Sequence, residues 1–293
     1  MKLKVSWASS RNRRKENQDN LSIGEQVAFP EGIDAHHISG QILLDIRENN
    51  EVLFAVADGM GGCVSGKHAA AHCLDQLRES FYSFYNTATE TEAEEQTALC
   101  EPLHTCTTGE PPLPVLRSVS QLLPLRAASL LEHEEEAEPA PSRLMAAAME
   151  ARDALAETYR DLDGGCTLCA VSVSNGEVEW VSAGDSSIWL VRRGKFTLIN
   201  PLDNRFYSHK ALGLPADPRE KSVLLNYLGA ADADLHTGSF SLHHGDTLVL
   251  CTDGVDLEKT LSRFLLKLNG SADQLCTISN ASDNATAVII RYV

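Results

Sequence analysis

Nine apolar runs of strand length dominate the sequence, and several neighbours are separated by no more than a hairpin turn. They are KVSWAS, GQILLDIR, EVLFAVAD, TLCAVSVS, EVEWVSAGD, SIWLVRRG, FTLIN, TLVLCTD and ATAVIIRYV. β-Branched and aromatic residues recur in them, and turn-forming pairs such as Asn49-Asn50 and Asn175-Gly176 divide them. Two stretches carry the three- and four-residue spacing of an amphipathic helix, SGKHAAAHCLDQLRESFYSFY from Ser65 and SRLMAAAMEARDALAETYRDL from Ser142. Either serine suits an N-cap. Helical patterns are too few for regular strand-helix alternation, which rules out a doubly wound parallel sheet. The pattern predicts an α+β chain of antiparallel sheets with helices packed outside.

The 293 residues are ample for a sizeable core. A formal charge of −16 argues against nucleic acid or an anionic membrane as the main partner, since either favours a basic surface. The N-terminal stretch holds no apolar run of signal-peptide length, and no later run approaches a membrane span. The expected location is the cytoplasm.

The charge is unevenly spread. Residues 88–141 hold eleven glutamates, no aspartate and two arginines, a local charge of −9, together with seven of the eleven prolines. Apart from VLRSVSQLLPLRAASLL, which has the spacing of a short amphipathic helix, little in this segment could pack. Strand patterns resume after it and need those before it. The expectation is therefore a single domain, 1–293, interrupted at about 88–141 by a mobile acidic insertion. An acidic docking arm is the functional reading of that segment, and a tolerated surface insertion the simpler one.

Eight dispersed cysteines in such a chain do not suggest a disulfide framework. Cys166 and Cys169 form a C-x-x-C, but at a strand start residues three apart face opposite ways, so they read as buried small hydrophobes. Cys100, His104 and Cys106 cluster loosely within the acidic segment.

The informative residues are aspartates. Asp58 ends LFAVA and is followed by glycines; Asp253 ends TLVLC and is followed by Gly254; Asp283, with Asn284, precedes the last strand; Asp19 lies in RRKENQDN. Asp-Gly is ordinary turn chemistry. If these strand ends meet at one rim, however, four carboxylates would repel one another unless cations lay between them. Oxygen ligands without histidine or thiolate suit Mg²⁺ or Mn²⁺ rather than Zn²⁺. Two such ions are a recurrent device for hydrolysing phosphate esters. An aspartyl-nucleophile enzyme would need a D-x-D-x-[TV] strand end, which neither ADGMG nor TDGVD supplies.

RRKENQD, FAVADGMGG, GGCTLCAV, VSAGDSSIWLVRRGK, LVLCTDGVD and DNATAVIIR occur in an order that resembles the metal-dependent protein phosphatases of type 2C, in their bacterial form. The resemblance covers nearly the whole chain outside the acidic segment. It implies an α-β-β-α sandwich and hydrolysis of phosphoserine or phosphothreonine proteins by direct attack of a water bridging two Mn²⁺ or Mg²⁺ ions. Carried over by motif, Asp58 bridges the metals and Gly59 offers its carbonyl. Asp253 and Asp283 ligate the second ion, Asp19 acts near both through water, and Arg14 binds the substrate phosphate. Asn284 orients Asp283 or its loop. A third ion is assigned to Asp163, with Asp161 as the alternative. A eukaryotic-like serine/threonine kinase is the partner system implied. A catalytically silent binding module on the same fold is the alternative, and the presence of all four aspartates weighs against it.

The match departs from the family in places. Met60 stands where many eukaryotic members carry histidine, so a water must protonate the leaving group. Gln18 replaces the commoner glutamate, and Ser187 an arginine. Asp185 reads as a turn or buried hydrogen-bonding residue. The stretch RFYSHKALGLPADPREKSVLLNYLG, the position of a substrate-facing flap, is poorly matched and leaves substrate preference open.

Overall fold

The computed structural model describes residues 1–47, 50–60, 66–98, 140–160, 162, 164–255, 257, 270–278 and 282–293, with the backbone alone for 84–98. The chain divides into two units, Met1–Asn86 with Ser142–Val293, and Thr87–Pro141. Of the second unit the described backbone is the end of one helix and residues 140–141, so the helix expected within 115–131 lies outside the described residues.

The first unit contains two antiparallel sheets. One runs in the order β3 (His37–Asp45), β1 (Lys2–Ser10), β12 (Ala285–Tyr292), β11 (Thr247–Cys251), β8 (Ser187–Arg192), β9 (Lys195–Leu198). The other runs β10 (His236–Ser241), β7 (Glu177–Ala183), β6 (Leu168–Ser174), β4 (Val52–Met60), β2 (Asp19–Ile23), with β5 (Gly165–Cys166) also paired to β4. The nine expected strands are all present. β7 returns from β6 through Asn175 and Gly176, whose φ of 50° and 83° make the left-handed pair that a two-residue hairpin requires.

Period-two alternation builds the layers. In β4, Phe54 and Val56 face the other sheet and meet Leu21, Ile23, Val171, Ile188, Leu250 and Val288 in the inter-sheet core. Leu53, Ala55 and Ala57 face the opposite way, against α1 (Gly66–Ala98) and α2 (Arg143–Tyr159). Alanines on both partners, Ala69 and Ala70 in α1 and Ala147, Ala148 and Ala151 in α2, let these helices lie close to the sheet. The outer face of the first sheet, Val249, Ala287 and Ile289, is covered by α4 (Ala272–Ile278) through Ala272, Leu275 and Cys276. A short α3 (Arg205–Ala211) and a 3₁₀ turn (Pro218–Ser222) follow β9 and bury no residue. The result is the expected α-β-β-α sandwich, in which each fully buried large side chain contributes about 1.5–3 kcal/mol.

Ser142 caps α2, its Oγ accepting from Met145 N at 3.3 Å. Ser65 and Asn49 lie outside the described residues. Cys166 is buried against the helices and Cys169 between the sheets, so the C-x-x-C does split across two faces. Two substantial strands are missing from the sequence reading. β2, DNLSI, is entirely buried although three of its five residues are polar. β10, HTGSFS, is an edge strand whose Gly238 lies beneath the Trp180 ring.

Candidate metal centre

The two sheets bring their carboxylates to a common rim. Asp19 opens β2 and is the direct cross-strand neighbour of Asp58 near the end of β4. In the other sheet Asp253 follows β11 and Asp283 stands just ahead of β12, strands that pair with each other. Asp58 and Asp253 stand close enough across the rim for each to act on the other's ionisation.

The glycines after the aspartates answer to packing rather than to turn conformation, since neither has a positive φ. A Cβ on Gly59 would stand 1.9 Å from the Gly66 carbonyl oxygen at the start of α1, and one on Gly254 would stand 1.7 Å from that of Asn284. Both strand ends are bare so that another backbone can cross directly against them.

The basic loop is fastened to the same rim by Asn284, which is buried. Its Oδ1 accepts from Gln18 N at 3.0 Å, and its Nδ2 donates to the carbonyls of Arg11 and Glu16 at 3.1 and 3.0 Å. Asn12, with φ 52°, adds a bond from Nδ2 to the Asp283 carbonyl at 2.7 Å. So held, Arg14 reaches Asp283 Oδ2 at 2.8 Å with 52% of its side chain still exposed. Asp283, and more distantly Asp58 and Asp253, hold its guanidinium firmly charged.

Burial raises the carboxyl pKa values here. Asp19 is pushed up to about 7 by burial, against the opposing pull of hydrogen bonds from Thr252 and Thr286. Asp58 is driven well above the ordinary range by burial and then by Asp19, Asp253 and Asp185. Asp253 meets solvent at the rim, yet the protein around it and Asp283 beside it raise it too. Asp185, half-buried and pushed up to about 7 chiefly by desolvation, accepts from Asn204 Nδ2 at 3.2 Å.

Oxygen-bound divalent cations fit this site. Asp19 Oδ1 is buried without a hydrogen-bond partner, an orphan that water or a cation must otherwise satisfy. Beside it stand Asp58 and the bare backbone at Gly59. Among the described residues no group of three or more His, Cys, Asp or Glu side chains is already drawn together as a closed metal cluster. Asp163 and Asp161 lie outside the described residues, as do 61–65 next to Met60.

Sequence reasoning missed the hydroxyls behind the carboxylates. Thr167 Oγ1 accepts from Asp58 N at 3.0 Å and sits 2.7 Å from Ser186 Oγ, and Thr252 Oγ1 donates to Asp19 Oδ2 at 2.8 Å. Their signal was the threonine in GGCT and in CTDG, adjacent to residues already singled out.

A family model described as Protein phosphatase 2C matches residues 34–284. No curated protein sequence matches the chain. Among solved structures, the Mycobacterium tuberculosis serine/threonine phosphatase PstP/Ppp superposes with a TM-score of 0.62 at 19% identity, covering 99% of each chain. The catalytic domain of PstP in complex with two manganese ions gives 0.60 at 20% identity, over 99% of this chain and 98% of that one. The S. agalactiae serine/threonine phosphatase gives 0.62 at 17%, over 99% and 100%. With most of its length matched, this chain belongs to the protein phosphatase 2C family, the metal-dependent serine/threonine protein phosphatases that work with Mn²⁺ or Mg²⁺.

Proposed function

We propose that hydrolysis takes place at the rim where Asp19, Asp58, Asp253 and Asp283 meet, on phosphoserine and phosphothreonine of protein substrates. The observation that carries this reading is the orphaned Oδ1 of buried Asp19 directly across from Asp58, on a rim where half-exposed Arg14 pairs with Asp283. Asp58 and the Gly59 carbonyl would hold one cation, Asp58 with Asp253 and Asp283 would hold the second, and Asp19 would stand behind both. When bound, such ions make water nucleophilic at neutral pH and offset charge on the departing oxygen.

The chain's own residues do the rest. Arg14 leaves Asp283 for the phosphate, whose oxygens match the planar guanidinium better than a lone carboxylate oxygen does. That fixes the ester with its phosphorus over the rim. The new bond forms from water oxygen to phosphorus, and the bond from phosphorus to the serine or threonine oxygen breaks. That oxygen must gain a proton. Met60, at the end of β4, has none to give, so solvent supplies it.

We read 1–293 as one phosphatase domain into which 88–141 is inserted, a reading supported by a family match that runs across that segment. Asp163 is retained as the residue for a third ion. No described helix is long and apolar enough to cross a membrane. The opposing enzyme is a serine/threonine kinase of the eukaryotic-like type, and the two act in the cytoplasm.

The test is hydrolysis of p-nitrophenyl phosphate and a phosphothreonine peptide with Mn²⁺, Mg²⁺ or EDTA, beside folded Asp58→Asn and Asp253→Asn. Metal-dependent turnover lost in both variants is expected. A folded, Mn²⁺-loaded wild type without turnover on either substrate would leave the fold serving as a binding module.

A further inference from the structure

Behind Asp19 lies a buried hydroxyl array contributed by the other sheet. Thr252, the residue after β11, donates from Oγ1 to Asp19 Oδ2 at 2.8 Å and accepts from Thr286 N at 3.0 Å. Its own N–H is held by the Thr286 carbonyl at 3.1 Å. Thr286 Oγ1 is 2.7 Å from Ser9 Oγ, which also accepts from Asn17 Nδ2 at 2.8 Å. Ser9, Thr252, Thr286 and Asp19 are all fully buried. None of these hydroxyls faces solvent where a substrate could touch it.

The arrangement has a direction. The Thr286 N–H can only donate, so the Thr252 hydroxyl accepts there and turns its own proton to Asp19 Oδ2. β-Branched threonine is stiff at χ1, and Thr252 is pinned at backbone and side chain alike, so its hydroxyl is a fixed point rather than a rotor. It occupies Oδ2 and leaves Oδ1 bare. It also crosses from the sheet that carries Asp253 and Asp283 to the sheet that carries Asp19 and Asp58. The bond therefore ties together the two halves of the carboxylate cluster.

We propose that Thr252, backed by Thr286 and Ser9, is a positioning residue that sets the affinity of the rim for its cations by holding Asp19 with one oxygen presented and one secured. This rests on the functional reading given above. A merely structural hydroxyl would stabilise the fold equally with and without metal. A positioning hydroxyl acts on cation binding, where partners behind a ligand are commonly worth about 10–100-fold.

The experiment titrates Mn²⁺ into the metal-free full chain by calorimetry, for wild type, Thr252→Val, Thr252→Ser and Ser9→Ala, with melting in EDTA to establish that each is folded. Thr252→Val keeps the shape and removes the hydroxyl; it is expected to bind Mn²⁺ about 10–100-fold more weakly. Thr252→Ser should bind as wild type does, and Ser9→Ala should lie between. Unchanged affinity in folded Thr252→Val, or no recovery in Thr252→Ser, overturns the proposal. If Thr252→Val does not fold, wild-type affinity in folded Ser9→Ala overturns it instead. Wild type that binds no Mn²⁺ overturns the metal centre and this inference with it, whereas wild-type binding with an indifferent Thr252→Val overturns this inference alone.

Discussion

Replacing Asn284 with alanine should separate what holds the arginine loop from what holds the fold. The side chain makes three hydrogen bonds to the two ends of residues 11–18, at Arg11, Glu16 and Gln18. At about 1 kcal/mol net each the loss approaches ~3 kcal/mol, less whatever the two freed carbonyls recover from water at an exposed loop. A cost of ~2 kcal/mol in a chain of this size lowers Tm by roughly 4–8 °C. Because Arg14 and Gln18 sit within the released segment, substrate binding should suffer as well. The assay pairs melting in EDTA with steady-state hydrolysis of a phosphothreonine peptide in saturating Mn²⁺. The expected result is a lower Tm together with a raised KM, while kcat falls less. If Asn284→Ala melts with wild type and keeps its KM, the loop is held by something else and the clamp argument is wrong.

Three further expectations follow from the same geometry. Asp19 and Asp185, ordinarily at 3.8, are both raised to about 7, chiefly by burial. The folded protein therefore binds their protons more tightly than the unfolded chain does, and metal-free stability should fall as pH rises from about 4 to about 7. Melting in EDTA across that range checks the sign, and the gain in Tm from Mn²⁺ should be larger at the upper end than at the lower. Arg14→Ala should raise KM for phosphopeptide while leaving Tm nearly unchanged, since the group is half exposed and its ion pair is worth at most about 1 kcal/mol; Arg14→Lys should recover only part of the loss, which a KM series will reveal. Deleting 88–141 should leave soluble expression and basal p-nitrophenyl phosphate turnover largely intact, and insoluble product would mean the segment belongs to the core.

The sandwich was legible because nine of its strands are apolar runs of strand length divided by turn signals, a pattern that survives in sequence whatever the topology. β2 escaped because its burial is spent on Asp19, Asn20 and Ser22, whose partners lie far along the chain; no local pattern announces them. β10 escaped for the opposite reason, being an edge strand of small and polar residues that alternates only weakly. At the rim, the aspartates were visible as charges terminating apolar runs. The hydroxyls behind them were not, because a buried threonine beside a strand end reads like any other β-branched residue. The work of Asn284 was half visible: its place beside Asp283 suggested a local role, whereas three of its bonds span more than 260 residues.

That last separation has a bearing on biosynthesis. The loop carrying Arg14 is fastened by residue 284, and β1 is paired along its length with β12. A ribosome delivers these partners 273 residues apart, and so long a loop closure is slow to make. Until β12 has emerged and has found β1, the nascent chain holds Asp19 and Arg14 without the groups that aim them. Truncation anywhere upstream of Asp283 would then yield fragments with no hydrolytic competence, so dephosphorylation waits on the synthesis of Asp283 and the strand after it.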